Sequence, residues 1–523
     1  MKFERGTLVL ILVFSAFLRI LSCAKYIDGD ETPIFINIIW FFYYATMVPW
    51  HFNYPTLFSY LSAVPVGIGA VVYKLLGILP KFEDIWVLYE TGSVLPILPS
   101  RLISVFFGVL TIYLAYKIGK KFFDEKAGII AAACLAFSRI HINYSSFALP
   151  DVTMTFFSAL SLYFSLSALK SKSAKDFVLA GFFAGLATST KYNAFLTIIP
   201  VAVVYLYSIK KVSFKKPALS ALAFIIAFFI GSPAWLIVPE KFEGAFNFEK
   251  EHMLTGHLGS FGAPYITHIE LLWDWEDVLA VLFLCGTMYG LIRHRKEDIL
   301  ILTLVFVSFF YIGSWQKKDI HYLLFLFPAL SIFAGNFLSR LYSSLSKKIK
   351  PIGSLLVMLL VFIHPVSASF TYSLGKLTRE DTRDISRDWI NKNIPENSSV
   401  ILDWNYNPYL LNAERKENIS AEHREFFDKY LGNRKVYNTV KIRYNLSWLA
   451  EVNAEYLLIN DYCFNRFLYT SAPSKDNPLY ENFTVQKETY VGVLNNSQGL
   501  NWALIKEFNT NAGPVILLYK RTT

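Results

Sequence analysis

Residues 26–35 read YIDGDETPIF, and three of them, Asp28, Asp30 and Glu31, are carboxylates within four positions. A carboxylate is what an acceptor hydroxyl needs as a general base, because the hydroxyl alone is a poor nucleophile. A second acid, Asp151, stands in FALPDVTMTFF; cations stand at Arg101 (ILPSRLISVFFG), Lys191 (STKYN), and Lys317, Lys318 and His321 (WQKKDIH). One base with a set of cations is the minimal kit for displacing a phosphate-linked group. The departing phosphate needs no general acid, but its growing charge calls for Arg or Lys. Each group also has an ordinary structural use. Asp151 after Pro150 suits a helix N-terminus, Asp30 and Glu31 suit a solvated loop or the first turn of an interfacial helix, and Arg101 and Lys191 suit snorkelling to lipid headgroups. The case for chemistry therefore depends on whether the fold gathers these residues.

The elements that must do so are membrane helices. The chain has 523 residues, 54% of them hydrophobic and 17% aromatic, far more apolar than a soluble protein of this length requires. Its formal charge of +10 lies mostly in short runs between apolar segments, which is a topology signal and excludes a nucleic-acid partner as its explanation. The four cysteines form no disulfide framework and no CxxC pair. The first 25 residues have the charge pattern of a signal peptide, but Arg19 lies where a cleavable signal wants small or apolar residues, so an uncleaved first span is expected.

Apolar runs near the length of a span occupy 7–24, 55–79, 99–119, 127–148, 150–169, 177–190, 192–209, 217–238, 276–292, 299–315, 320–341 and 352–369. The basic runs at 2–5, 117–126, 170–175, 210–216, 293–296 and 346–350 all fall on the cytoplasmic side if 55–79 does not cross. That segment also carries Pro65, Gly67, Gly69 and Lys74, which predicts a juxtamembrane or re-entrant helix and about 11 true spans. The N-terminus is then cytoplasmic, and the acidic triplet, Asp151, Lys191 and Lys317–His321 share the outer face. From about 370 the chain turns polar; TRDISRDWINKNIPENSSVILDW reads as helix, turn, strand, and AEYLLIND and GPVILLYKR read as strands. This predicts a transmembrane module over 1–369 and a small extracytoplasmic α/β domain over 370–523. No GxGxxG, P-loop, GxSxG or HExxH motif is present.

In this order the motifs resemble those of phospholipid-carrier-dependent glycosyltransferases of the GT-C fold, the group that includes protein O-mannosyltransferases and the lipid A aminoarabinose transferase. The resemblance runs through FLRI…DGDE, HFNYPTLFSYL, LPSRLISVFFGVLTIYLAYKIGKKFF, YSSFALPDVTMTFFSALSLYF, GLATSTKYNAFLTIIP and HYLLFLFPAL. It implies a polytopic helical membrane enzyme that moves a sugar from a polyprenyl-phosphate donor to an acceptor hydroxyl on a protein, lipid or glycan, on the extracytoplasmic side and with inversion. The location it implies is the cell membrane, or the endoplasmic reticulum in a eukaryote. By resemblance, Asp30 is the catalytic carboxylate beside Glu31, and Asp151 is the second acid. Arg101 and Lys191 match the family's phosphate-binding cations; Lys317, Lys318 and His321 are expected to share the donor phosphate, and His51 and Tyr54 to contact substrate. Asn53-Tyr54, Tyr192-Asn193 and His321 depart from the relatives' residues. No cofactor is implied, and a divalent cation is compatible with the pattern. The competing reading, a proton-coupled transporter of an anionic solute, expects midplane charges and an internal repeat, neither of which is visible.

Overall fold

The computed structural model describes residues 2–23, 27–258, 261–349, 351–404, 406–417, 420–431, 434–442, 449, 451–497, 500–510 and 513–522. The N-terminal part is helical. It runs through α1 (Lys2–Leu21), α2 (Thr32–Tyr43), α3 (Leu57–Leu75), α4 (Asp84–Glu90), α5 (Leu98–Phe122), α6 (Glu125–Ala136), α7 (Arg139–Ser145), α8 (Asp151–Ser171) and α9 (Ala174–Thr188). It continues through α10 (Ile199–Ser208), α11 (Lys215–Gly231), α12 (Ala234–Ile237), α13 (Pro239–Thr255), α14 (Ile266–Glu276), α15 (Val278–Arg293), α16 (Lys296–Gly313), α17 (Phe327–Lys348) and α18 (Pro351–Thr378).

Among the described residues five helical stretches are long and apolar enough to cross a membrane: Leu57–Leu75, Leu98–Phe122, Asp151–Ser171, Ile320–Lys348 and Ile352–Asn393. The first covers the segment whose prolines and glycines argued against a span. It is one continuous helix through Pro65, and its length and composition admit a crossing. Other expected spans are shorter, such as α9 with 15 residues and α15 with 16. The expected span 127–148 is broken, because α6 and α7 meet at 63°. Ser138 starts the second helix by accepting from the His141 N–H, and the carbonyls of Leu135 and Ala136 freed at the break accept from the buried Arg19 guanidinium at 3.4 and 3.2 Å. Arg19 thereby ties α1 to the bend.

Close helix contacts depend on small residues. A Cβ at Gly181 of α9 would lie 2.0 Å from the Ser220 carbonyl of α11, and one at Gly185 would lie 2.2 Å from that of Phe224. This contact holds the end of α9, and so Lys191 just beyond it, against the bundle.

The C-terminal part adds α19 (Thr382–Asn393), β1 (Ser399–Leu402), β2 (Leu411–Asn412), α20 (Ala413–Glu417), α21 (Ala421–Leu431), β3 (Val436–Lys441), β4 (Tyr456–Asn460), α22 (Asp461–Leu468), α23 (Tyr480–Leu494), β5 (Trp502–Phe508) and β6 (Ile516–Arg521). The six strands form one sheet of order β2-β3-β1-β4-β6-β5. Strands β1, β2, β3 and β4 are parallel, and β6 pairs antiparallel with both β4 and β5. The helix, turn and strand expected over 382–404 and the strands expected within 454–461 and 513–521 are present. Strands β2, β3 and β5 lie outside the expected elements; β5 is an edge strand whose middle is mostly exposed.

This domain docks on the helical part. His423 Nδ1 lies 2.6 Å from Asp84 Oδ1, Arg434 donates to the Thr91 carbonyl at 2.8 Å, and Asn477 donates to that of Thr255 at 2.7 Å. Its centre is the buried Asp403, which accepts from the Asn460 N–H at 3.1 Å, Asn460 Nδ2 at 2.9 Å, Asn407 Nδ2 at 2.6 Å and the Tyr490 hydroxyl at 3.2 Å. Burial pushes its carboxyl up from 3.8 to about 6, against those hydrogen bonds. Between these two values the folded state holds a proton that the unfolded chain has released, so stability is greatest below about 4 and is lost as pH rises through about 6. Amide-exchange protection of β1 and β4, corrected for intrinsic rates, should be higher at pH 5 than at pH 7, and Asp403→Asn should flatten the difference. Equal slopes in the two proteins would remove Asp403 as its cause.

Candidate active site

The acidic loop closes on itself before α2. Asp28 Oδ1 accepts from the Asp30 N–H, and Glu31 Oε2 accepts from the Asp28 N–H, both at 2.9 Å, a reciprocal cap around Gly29–Glu31. Pro33 then starts α2 with its φ already helical. Glu31 is fully buried, accepts from the Ala148 N–H at 2.7 Å, and takes the Arg101 fork at 2.8 Å (Nε to Oε1) and 2.5 Å (Nη2 to Oε2). Arg101, expected at the phosphate, is therefore fully buried at the start of α5 and given to Glu31. Asp30 is different: it is exposed, and its carboxylate makes no hydrogen bond or ion pair among the described residues. Burial, then the charges of Asp30 and Glu31, push the Asp28 carboxyl up to about 6.

Asp151 opens α8, and Lys191 follows the end of the antiparallel α9, so the hairpin returns the two to the same end of the bundle. Lys191 Nζ lies 2.8 Å from Asp151 Oδ1, with 8% and 3% of the side chains exposed. The same ammonium sits 5.7 Å from the Tyr54 ring centroid and 5.1 Å from that of Tyr322. The Tyr54 hydroxyl is held well above its usual range by burial and then by Asp30, Asp151 and Glu249, so charges from three separate segments reach one phenol.

The third cationic group divides. His321 Nδ1 lies 2.8 Å from Asp319 Oδ1 and 2.9 Å from the Tyr144 hydroxyl. Burial works to raise the Asp319 carboxyl, but His321 and Lys317 outweigh it and hold the group below its usual range. Lys317 is partly buried, and burial lowers it against the pull of Asp319, Asp30 and Glu249. Lys318 turns away and donates to the carbonyls of Gly313, at 3.0 Å, and Trp315, closing the end of α16.

Sequence reasoning missed Glu249. It projects from α13, accepts from Asn53 Nδ2 at 2.7 Å, and is raised by burial while Asn53, Lys191 and Lys317 pull it back. His51 contributes mainly backbone: Asn37 accepts from its N–H at 2.8 Å and donates to its carbonyl at 3.0 Å, which fixes the loop carrying Asn53 and Tyr54. The expected set thus divides. Asp151, Lys191 and Tyr54 are in contact, and Asp30, Lys317 and the unexpected Glu249 act on them or on one another through their charges, with His321 joined through Asp319. Glu31 and Arg101 form a buried support, His51 gives backbone contacts, and Lys318 faces elsewhere. Among the described residues no group of three or more His, Cys, Asp or Glu is placed to hold a metal ion.

Two recesses flank α2. A cavity of about 650 Å³ lies between α2, α4 and the C-terminal sheet, with Asp28 and Gly29 in its wall. An open groove of about 430 Å³, lined by Phe42, Val64, Gly67, Ile68 and Val71 among others, runs between α2 and α3.

Residues 86–237 match the family model of dolichyl-phosphate-mannose-protein mannosyltransferase, a stretch that holds Arg101, Asp151 and Lys191. Among solved structures the chain is similar to ArnT from Cupriavidus metallidurans bound to undecaprenyl phosphate, with 13% identity, a TM-score of 0.55 and 98% of each chain covered. It is similar also to the Archaeoglobus fulgidus oligosaccharyltransferase in its apo form, with 13% identity, a TM-score of 0.53, and 97% of this chain and 80% of that one covered. The archaeal oligosaccharyltransferase AglB from Archaeoglobus fulgidus, in complex with an inhibitory peptide and a dolichol-phosphate, matches at a TM-score of 0.50 and 13% identity, covering 98% of this chain and 80% of that one. No curated protein matches the chain. With its helical module and small C-terminal sheet, the chain has the GT-C fold of the polyprenyl-phosphate-dependent glycosyltransferases, and the resemblance carried by its motifs stands.

Proposed function

We propose that the chain transfers a sugar from a polyprenyl-phosphate carrier to an acceptor hydroxyl at the extracytoplasmic face of the membrane, by a single inverting displacement with Asp30 as base. The observation that carries this reading is the division of labour in the acidic loop. Asp28 and Glu31 are committed to the cap and to Arg101, while Asp30 alone is exposed with its carboxylate uncommitted among the described residues. The acceptor proton passes to Asp30, the acceptor oxygen forms the new bond to the anomeric carbon, and the carbon–oxygen bond to phosphate breaks with its electron pair on the phosphate. Lys191 and Lys317, with His321 behind, meet that charge; Asp151 and Glu249 orient the cations. The apolar groove between α2 and α3 has the character to take part of the carrier's chain.

The reaction tests directly. With an α-linked donor the product must be the β-anomer, or the reverse, as read by NMR of the released glycoside, and retention would rule out single displacement. Lys317→Ala should weaken binding of polyprenyl phosphate by about 10-fold to 100-fold, the value of about 1.5–3 kcal/mol for a charge-assisted contact. Lys191→Ala should weaken it too, but with lower stability, because Asp151 is left buried without its partner. Unchanged binding in Lys317→Ala would move the phosphate elsewhere.

Orientation is part of the same proposal. In a background lacking the half-buried Cys23 and Cys285, cysteines at the exposed Ser171, Lys211 and Lys347 should resist an impermeant thiol reagent in intact cells, and one at the exposed Lys475 should react. The opposite pattern would place the site on the cytoplasmic side.

A further inference from the structure

The cavity of about 650 Å³ is not where the phosphate cations lie, yet Asp28 and Gly29, the residues just before Asp30, form part of its wall. Its opposite wall is the carboxyl end of the parallel strands: Trp404, Tyr406 and Asn407 follow β1, and Lys441 ends β3. In an open α/β sheet ligands bind outside the carboxyl ends of the strands, at the point where the strand order reverses. Here the chain passes from β1 to β2 and β3 on one side and then crosses to β4 on the other, so the reversal lies between β1 and β4. Asp403, at the end of β1, is hydrogen-bonded to Asn460 at the end of β4 and holds that point closed beneath Trp404. The cavity lies beside that closed point, over the ends of β1 and β3, with no residue of β4 in its described lining; the edge turned to the acidic loop is the carboxyl end of β1 and β3, not the reversal itself.

The lining identifies what fits. Among the described residues the charged side chains in the wall are three acids, Asp28, Glu90 and Asp384, and three bases, Arg383, Arg387 and Lys441, which together carry no net sign to attract a phosphate or a polycation. Two of the bases are already paired, Arg383 with Asp381 at 2.6 Å and Arg387 with Asp384 at 2.6 Å. The rest of the wall is rich in aromatic rings, with Trp40 and Trp86 on the helical side and Trp404 and Tyr406 on the sheet side. Flat apolar faces among neutralised hydrogen-bonding groups suit a ligand with apolar ring faces and hydroxyl edges. The volume lies within the range of about 300–1,000 Å³ usual for small-ligand sites.

We infer that this cavity is the acceptor subsite and that the acceptor hydroxyl belongs to a neutral glycan, held by Trp404 and Trp86 from opposite walls and delivered past Asp28–Gly29 to Asp30. The inference rests on the glycosyltransferase reading above for the word acceptor; the binding of a glycan does not. The test uses the full-length protein in lipid nanodiscs with three probes: undecaprenyl phosphate, a panel of immobilised neutral oligosaccharides built from glucose, mannose and N-acetylglucosamine, and a panel of Ser/Thr peptides. At least one oligosaccharide should bind the wild type and lose 10-fold or more in both Trp404→Ala and Trp86→Ala, while undecaprenyl phosphate binds all three proteins equally. Using a variant on each wall guards against a local folding defect in one of them. The inference is overturned if no oligosaccharide binds, if neither substitution weakens it, or if peptides bind with the same sensitivity. Loss of undecaprenyl phosphate binding by the wild type itself would strike the transferase reading, leaving the glycan result to decide the cavity separately.

Discussion

Asp30→Asn should lose about 10²–10⁴ in turnover of a lipid-linked sugar, the usual worth of a general base, while binding the carrier phosphate as the wild type does. The substitution keeps the shape and the backbone contacts of the loop: the Asp30 N–H still donates to Asp28, and Glu31 still closes the cap. It removes only the proton acceptor. Asp28→Asn should cost far less, because Asp28 acts through the cap and an amide oxygen accepts from the Asp30 N–H as well. Near-normal turnover in Asp30→Asn would shift the base to Glu249, the other partly solvated acid of the site; lost turnover together with lost carrier binding would make Asp30 an organiser of the site.

The second large effect concerns stability. Glu31 and Arg101 are both fully buried and paired at 2.5 Å. Removing one partner of such a pair typically costs about 3–5 kcal/mol, because the other charge is left without compensation. Glu31→Gln should therefore melt well below the wild type, and Arg101→Met likewise. The double variant Glu31→Gln with Arg101→Met should recover part of the loss, since no charge remains and the glutamine carbonyl still accepts from Ala148, although the Asp28 N–H of the cap loses its acceptor. It should also turn over faster than Asp30→Asn. If the double variant is stable but as inactive as Asp30→Asn, Glu31 takes part in the chemistry itself.

The pairings also explain what the sequence could and could not reveal. The spacing of Asp28, Asp30 and Glu31 marked the loop, but nothing local distinguishes the acid that stays open from the one that is buried. That depends on Arg101, 70 residues away. Asp151 and Lys191 were each legible as unusual, and the α8–α9 hairpin brings them within 2.8 Å, a contact that periodicity alone does not state. Glu249 carried no signal: α13 also bears Glu240, Glu243 and Glu251, and only the contact with Asn53, 196 residues away, singles it out. Lys318 is ambiguous in the sequence because a cation in the loop after a span looks the same whether it faces a ligand or, as here, the carbonyls ending α16. The fold class was readable from the apolar runs and the polar tail. The break between α6 and α7 is marked only by Ser138-Arg139 and the polar His141 and Asn143 within an otherwise apolar run, and its geometry shows once Arg19 is seen to take the freed carbonyls.

The most direct test of the whole account is the release of carrier. Purified protein in nanodiscs is incubated with radiolabelled polyprenyl-phosphate sugars and an extract supplying acceptors, and free polyprenyl phosphate is followed by thin-layer chromatography. Release is expected with at least one donor, in step with the appearance of label in the acceptor fraction, and little of either in Asp30→Asn. No release from any donor, or equal release by the wild type and Asp30→Asn, would contradict it.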